Sequence, residues 1–120
     1  MLRIMLVLAC ATGTAFSQTG SILPSVVAVG TIPTFNNKIT GLEPNTTYTC
    51  RMWVVCNGNG FWVASGTNAT TDANGALTFQ QTGHQFDHPE MNKPVKLQYV
   101  KANGGSNPST VTVAGGLTVT

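Results

Sequence analysis

The densest gathering of reactive side-chain types in this chain is His84-Gln85-Phe86-Asp87-His88-Pro89-Glu90, where two imidazoles and two carboxylates crowd into one short stretch. These are the ligand types of a zinc or copper site. Pro89 bars the helix that would stack His84 and His88 on one face, and no second cluster completes a ligand shell. The stretch therefore reads as a solvated loop in which Asp and His cap turns. No metal and no other cofactor is expected. Catalysis has no better footing, because nothing resembles a nucleophile elbow and no acid–base pair stands at a recognisable spacing. No catalytic residue is assigned, and the chain is not expected to be an enzyme.

Binding chemistry is better represented. Trp53, Phe61 and Trp62 could form an exposed aromatic platform for sugar rings, set against the plainer possibility of core aromatics with one covered ring. Trp62 is the expected outward member, being opposite in parity to Phe61 and Val63. Asn45-Thr46-Thr47 and Asn68-Ala69-Thr70 are glycosylation sequons, both in apparent turns, whereas Asn107-Pro108-Ser109 is disqualified by its proline. Asn45 and Asn68 are thus candidate glycan sites if the host has that route.

Cys50 and Cys56 are the candidate disulfide residues, and two cysteines in an oxidising compartment would ordinarily pair. On one continuous strand they would lie on the same face about 20 Å apart, at roughly 3.3 Å per residue. A disulfide requires Cα atoms within about 7 Å. Internal pairing would need a turn inside Arg51-Met52-Trp53-Val54-Val55, which is poor turn material. A bond to a neighbouring chain and a pair of buried free thiols stay open beside it.

Residues 1–17 have the layout of a secretory signal: Arg3 at the head, an apolar run from Ile4 to Ala11, and Ala15-Phe16-Ser17 as a small-x-small cleavage site. The apolar run is too short to span a membrane, which takes about 20 residues. Residues 18–24 follow as an N-terminal extension and 25–120 as one domain, with room for a single core. The expected product is secreted and extracellular. Charged residues make up only 8% of the chain, and beyond the signal five basic side chains face four acidic ones. No basic patch results, so nucleic acid is not an expected partner. Weak charge also leaves little repulsion between copies of the chain.

Seven runs have the strand character that would carry these residues: 26–29, 37–42, 48–56, 61–65, 76–81, 95–101 and 110–120. Asn57-Gly58-Asn59-Gly60 and Thr71-Asp72-Ala73-Asn74-Gly75 are tight-turn sequences between them. Residues 82–94 form a polar loop. Val95, Leu97 and Tyr99 alternate with Lys96, Gln98 and Val100, the pattern of a sheet with one buried face. By the same rule Tyr48, Cys50, Met52, Val54 and Cys56 point inward. Gly115-Gly116 marks a kink or bulge in the last run. No segment has a helical period.

Gly41-Leu42-Glu43-Pro44-Asn45-Thr46-Thr47-Tyr48 resembles the G-L-x-P-x-T-x-Y element of fibronectin type III domains, although two strands precede it here and four follow. The order is more similar to bacterial immunoglobulin-like and neocarzinostatin-like domains, where such an element follows strand two. In those domains a T-x-D-A-N-G turn like Thr70-Thr71-Asp72-Ala73-Asn74-Gly75 opens strand five. The resemblance implies an all-β fold: a single seven-stranded antiparallel Ig-like Greek-key sandwich. Ig domains bury a Trp on the corresponding strand, which would turn Trp53 inward and the cysteines outward, so both parities stay open. The neocarzinostatin group binds an apolar chromophore and carries two short-range disulfides, for which this chain lacks the cysteines.

These features lead to a secreted, non-enzymatic structural subunit of an extracellular assembly, a filament, matrix or surface layer, self-associating through strand edges. Residues 110–120 or 18–25 would supply a strand to a neighbour. The alternative is a monomeric binding module for carbohydrate or a small apolar ligand. Self-association and glycans are the expected partners, with no membrane span.

Overall fold

A computed structural model describes residues 17–104 and 107–120. The signal-peptide reading therefore lies outside the described residues, apart from Ser17. Every regular element among the described residues is a β-strand. In chain order these are β1 (Thr19–Leu23), β2 (Val26–Val27), β3 (Thr34–Thr40), β4 (Thr47–Cys56), β5 (Asn59–Trp62) and β6 (Thr67–Thr70). They continue with β7 (Leu77–Thr82), β8 (Glu90–Lys93), β9 (Val95–Lys101), β10 (Ser109–Thr112) and β11 (Leu117–Val119).

The strands form three sheets. One has the order β1-β3-β7, the second β10-β9-β4-β5, and the third β2-β11-β8. β6 joins the second sheet by pairing with the first half of β4, while β5 pairs with its second half. The first two sheets are antiparallel throughout, and β2 runs parallel to β11.

Alternation builds the core. β3 turns Phe35, Asn37 and Ile39 inward, and β7 turns Leu77, Phe79 and Gln81 inward to meet them. From the opposing sheet β4 contributes Cys50, Met52 and Val54, and β9 contributes Val95 and Leu97, all of them fully buried. Burial of such side chains stabilises by roughly 1.5–3 kcal/mol each. Gln81 ties the sheets together inside this core. Its Oε1 accepts the Met52 amide at 3.3 Å and its Nε2 donates to the Ser65 carbonyl at 3.0 Å.

Among the described residues, eleven short strands replace the seven expected. Residues 19–23, read as part of an extension, are β1 and pair along the whole of their length with β3. Glu90–Lys93, read as loop, is β8, and Thr67–Thr70, read as turn, is β6. All three have few or no buried apolar side chains, so they are held by main-chain pairing and carry no hydrophobic alternation to betray them. The final run is split into β10 and β11 by Gly115 and Gly116, both at positive φ, as the diglycine foretold. Phe86, inside the supposedly polar loop, is fully buried and packs edge-on against Phe35 at 5.9 Å between ring centroids.

The two turn motifs that carried the resemblance are bonded to one another. Leu42 N–H donates to the Gly75 carbonyl, Asn45 N–H to the Asp72 carbonyl, and Thr71 N–H to the Thr46 carbonyl. The buried Thr71 hydroxyl donates to the Glu43 carbonyl at 2.6 Å and accepts the Thr46 amide at 2.9 Å. Tyr48 Oη accepts the Glu43 amide at 3.2 Å. Gly75 sits at φ +79 with the Leu42 carbonyl against the place a Cβ would occupy, so only glycine fits there.

Candidate functional site

β4 alternates strictly, and the residues it does not bury are Thr47, Thr49, Arg51, Trp53 and Val55. The Asn57-Gly58 turn sets what lies beside them. Both residues are at positive φ, 51 and 78, the backbone of a two-residue hairpin whose twist matches its strands. That loop fixes Trp53 directly opposite Trp62. On the other side of β4, Lys96 is opposite Trp53 and Gln98 is opposite Arg51. A row Lys96–Trp53–Trp62 and a row Gln98–Arg51 therefore run across the outer face of the second sheet, since directly opposed residues share a face.

The side chains in these rows touch. The Arg51 guanidinium stacks over the Trp62 ring, 3.6 Å from its centroid. Its Nε–H donates to Gln98 Oε1 at 2.9 Å, which fixes the stack. Lys96 Nζ stands 5.3 Å from the Trp53 ring centroid. Each cation over an indole contributes about 0.5–1 kcal/mol at an exposed site. The Trp53 indole lies over Gly60, where a Cβ would run into the ring. A glycine at that position is what lets the indole lie down on the sheet. Trp62 remains 39% exposed, so the face is open to solvent.

The expected trio of aromatics is thereby split. Phe61 is opposite Val54 and so turns to the other side of the sheet from Trp53 and Trp62. It packs on His84 at 4.8 Å, and His84 meets Phe86 edge-on at 4.7 Å. The loop histidine is thus an aromatic packing element, with Nε2 enclosed and unpartnered. A cavity of about 170 Å³ there is lined by Cys56, Phe61, His84, Asp87 and His88 among others. Among the described residues no three His, Cys, Asp or Glu side chains converge as a metal site would require.

Cys50 and Cys56 are both free and buried. The parity that turns Trp53 inward and the cysteines outward is overturned by the burial of every second residue from Tyr48 to Cys56. A continuous strand separates the two thiols, the arrangement in which their spacing is too long for a disulfide. Burial pushes the Cys50 thiol up to about 12, so it stays protonated and unreactive.

The sequons part company. Asn45 is exposed at the corner with φ 51. Asn68 is exposed too, yet it lies on β6, in place of the expected turn, and its Oδ1 accepts the Thr49 hydroxyl at 2.7 Å. That puts it on the same outer face as the indoles, since Thr49 is its directly opposed partner. Away from this face, Lys101 and Glu43 form an exposed ion pair at 2.6 Å. The lysine holds the Glu43 carboxyl below its usual range.

No family model matches the chain, and no curated protein matches it. Among solved structures, macromomycin aligns at 21% identity over 82% of this chain and 100% of its own, with a TM-score of 0.48. A chain of the structure described as "Structural basis of T cell specificity and activation by the bacterial superantigen toxic shock syndrome toxin-1" aligns at 18% identity. It covers 87% of this chain and 100% of that one, with a TM-score of 0.40. Neither likeness says more of this chain than its own strands do: it is all-β.

Arg51, Lys96 and Gln98 are the members of the face that residue types alone did not single out. Their parity was readable, because Lys96 and Gln98 alternate with the buried Val95 and Leu97 and the half-buried Tyr99. What was missing was the register between β9 and β4, which sets Lys96 against Trp53 and Gln98 against Arg51.

Proposed function

We propose that this chain is an exported, non-enzymatic binding module with an immunoglobulin-like sandwich as its scaffold, and that it takes a saccharide on the outer face of its second sheet. The observation that carries this reading is the directly opposed pair Trp53 and Trp62 on the outer face of the sheet, Trp53 half-buried and Trp62 exposed, with the hydrogen-bonding side chains of Arg51, Gln98 and Lys96 beside them. Sugar rings present an apolar C–H face and a rim of hydroxyls, which suits the flat Trp53 indole with polar groups beside it. The hairpin and the two opposed strands hold these side chains in place before a ligand arrives, which lowers the cost of binding. A glycan microarray probed with residues 18–120 tests the reading. At least one saccharide class should be retained, and the Trp53→Ala/Trp62→Ala double variant should lose it with its fold intact. No retention by the parent chain, or retention that survives the double substitution, would refute it.

A structural subunit is the second reading, favoured by the edges. β5, β6 and β10 contain no charged residue, and uncharged outer strands lack the usual guard against pairing with another chain. The two segments expected to be donated are, however, already used: residues 19–23 pair with β3, and the C-terminal run pairs with β9, β2 and β8. Assembly on this reading would be edge to edge.

A further inference from the structure

Resting on the saccharide-binding reading above, we propose that the ligand is an acidic polysaccharide whose carboxylates, those of uronic-acid units, are held by Arg51 and Lys96 beside the two indoles. The chain's four acidic side chains beyond the signal stand elsewhere. Glu43 is paired with Lys101. Asp72 accepts the backbone amides of Asn74 and Ala76 within its own turn. Glu90 accepts the Asn57 amide at 3.0 Å, and Asp87 lines the small cavity beside His84. Arg51 and Lys96 thus have no carboxylate partner among the described residues, and both sit over indoles on one open face. In a protein with so few charges, two uncompensated cations on one small face make it distinctly positive.

Geometry gives the same answer. Arg51 and Trp53 are alternate residues of β4, about 7 Å apart at ~3.3 Å per residue. Lys96 is the directly opposed neighbour of Trp53 on β9. Arg51, lying over Trp62, and Lys96, across the strand pair, therefore border Trp53 from two sides. The guanidinium covers the Trp62 ring, so the pyranose ring stacks on Trp53, and the carboxylate projecting from its edge extends sideways toward Arg51 or Lys96. Arg51 is already oriented for this. Its Nε–H is committed to Gln98 and its plane to Trp62, leaving the terminal amino groups free for a bidentate contact with a carboxylate. A neutral sugar would use the indoles and leave both cations unmatched.

The test is affinity electrophoresis of residues 18–120 through gels containing hyaluronan or polygalacturonate, each compared with its carboxyl methyl ester. Esterification removes the charge and keeps the rings. At least one acid form should retard the protein about tenfold more strongly than its ester, and the retardation should fall as salt is raised. Lys96→Gln should weaken it about threefold, the contribution of one exposed ion pair, and Arg51→Gln by at least as much. Equal retardation by acid and ester forms would overturn the acidic-ligand proposal and leave saccharide binding standing. Absence of retardation by any of the four, with a neutral glycan retained on the microarray, would overturn it likewise. Silence on both would sink the saccharide reading together with it. Because the acid–ester comparison uses the unsubstituted protein, the proposal can fail even if neither variant folds.

Discussion

Trp53 is held against the sheet by what is absent beneath it. Gly60 gives the indole room to lie flat, and a Cβ there would collide with the ring. Gly60→Ala should therefore lift the indole from the sheet without touching the core. The expected outcome is altered tryptophan emission and weaker saccharide retention, with an unchanged far-ultraviolet dichroism spectrum. An unaltered emission spectrum would show that the indole is not seated as described. At this scale the sequence was legible in part. Residue types picked out Trp53 and Trp62, and alternation predicted that Trp62 faces outward. The assignment of Phe61 to the same platform failed, because the hairpin register opposes it to Val54 and aims it at His84. Arg51 carries no local signal, because its partner on the face, Gln98, lies 47 residues further along the chain and no local pattern links them.

Elements meet most tightly where the Gly41–Tyr48 corner docks on the Thr70–Gly75 turn. Thr71 is the pin, 3% exposed, with its hydroxyl serving Glu43 and Thr46 at once. Thr71→Val keeps the shape and leaves two backbone groups short of partners, so it should cost about 1–3 kcal/mol in chemical denaturation. A neutral result would mean that water reaches the corner. Asp72 adds a pH dependence. Hydrogen bonds from the Ala76 and Asn74 amides hold its carboxyl below 3.8 in the folded chain. The unfolded chain takes up that proton first as pH falls, so the stabilisation is complete above about pH 4 and vanishes as pH drops through the folded value. Asp72→Asn should flatten the fall in Tm between pH 5 and pH 2.5, and an unchanged slope would assign the acid sensitivity to other groups. Both motifs were visible in the sequence because turn chemistry is local. Their contact with each other was not, and neither were β1, β6 and β8, whose main-chain pairing needs no apolar stripe.

For the molecule as a whole, the binding and assembly readings separate by size. As a binding module, residues 18–120 should be monomeric by light scattering at high concentration. Assembly through β10 would give larger species instead, and Thr110→Lys, at an exposed position opposite Gln98 on that edge, should disperse them. Large species indifferent to Thr110→Lys would exclude β10 as the edge in use. Whole-chain properties were the most legible of all. Short strand-like runs and frequent turn residues predicted an all-β chain, and the scarcity of charge makes Arg51 and Lys96 stand out. The measurement that addresses the central claim most directly is a nuclear magnetic resonance footprint of nitrogen-15-labelled residues 18–120, titrated in turn with cellohexaose, laminarihexaose and hexagalacturonate. With at least one of these, the indole N–H signals of Trp53 and Trp62 and the amides of Arg51, Lys96 and Gln98 should shift while β1, β3 and β7 stay still. Shifts gathered on β1, β3 and β7, or no shift with any of the three, would contradict the assignment of this face as the binding site.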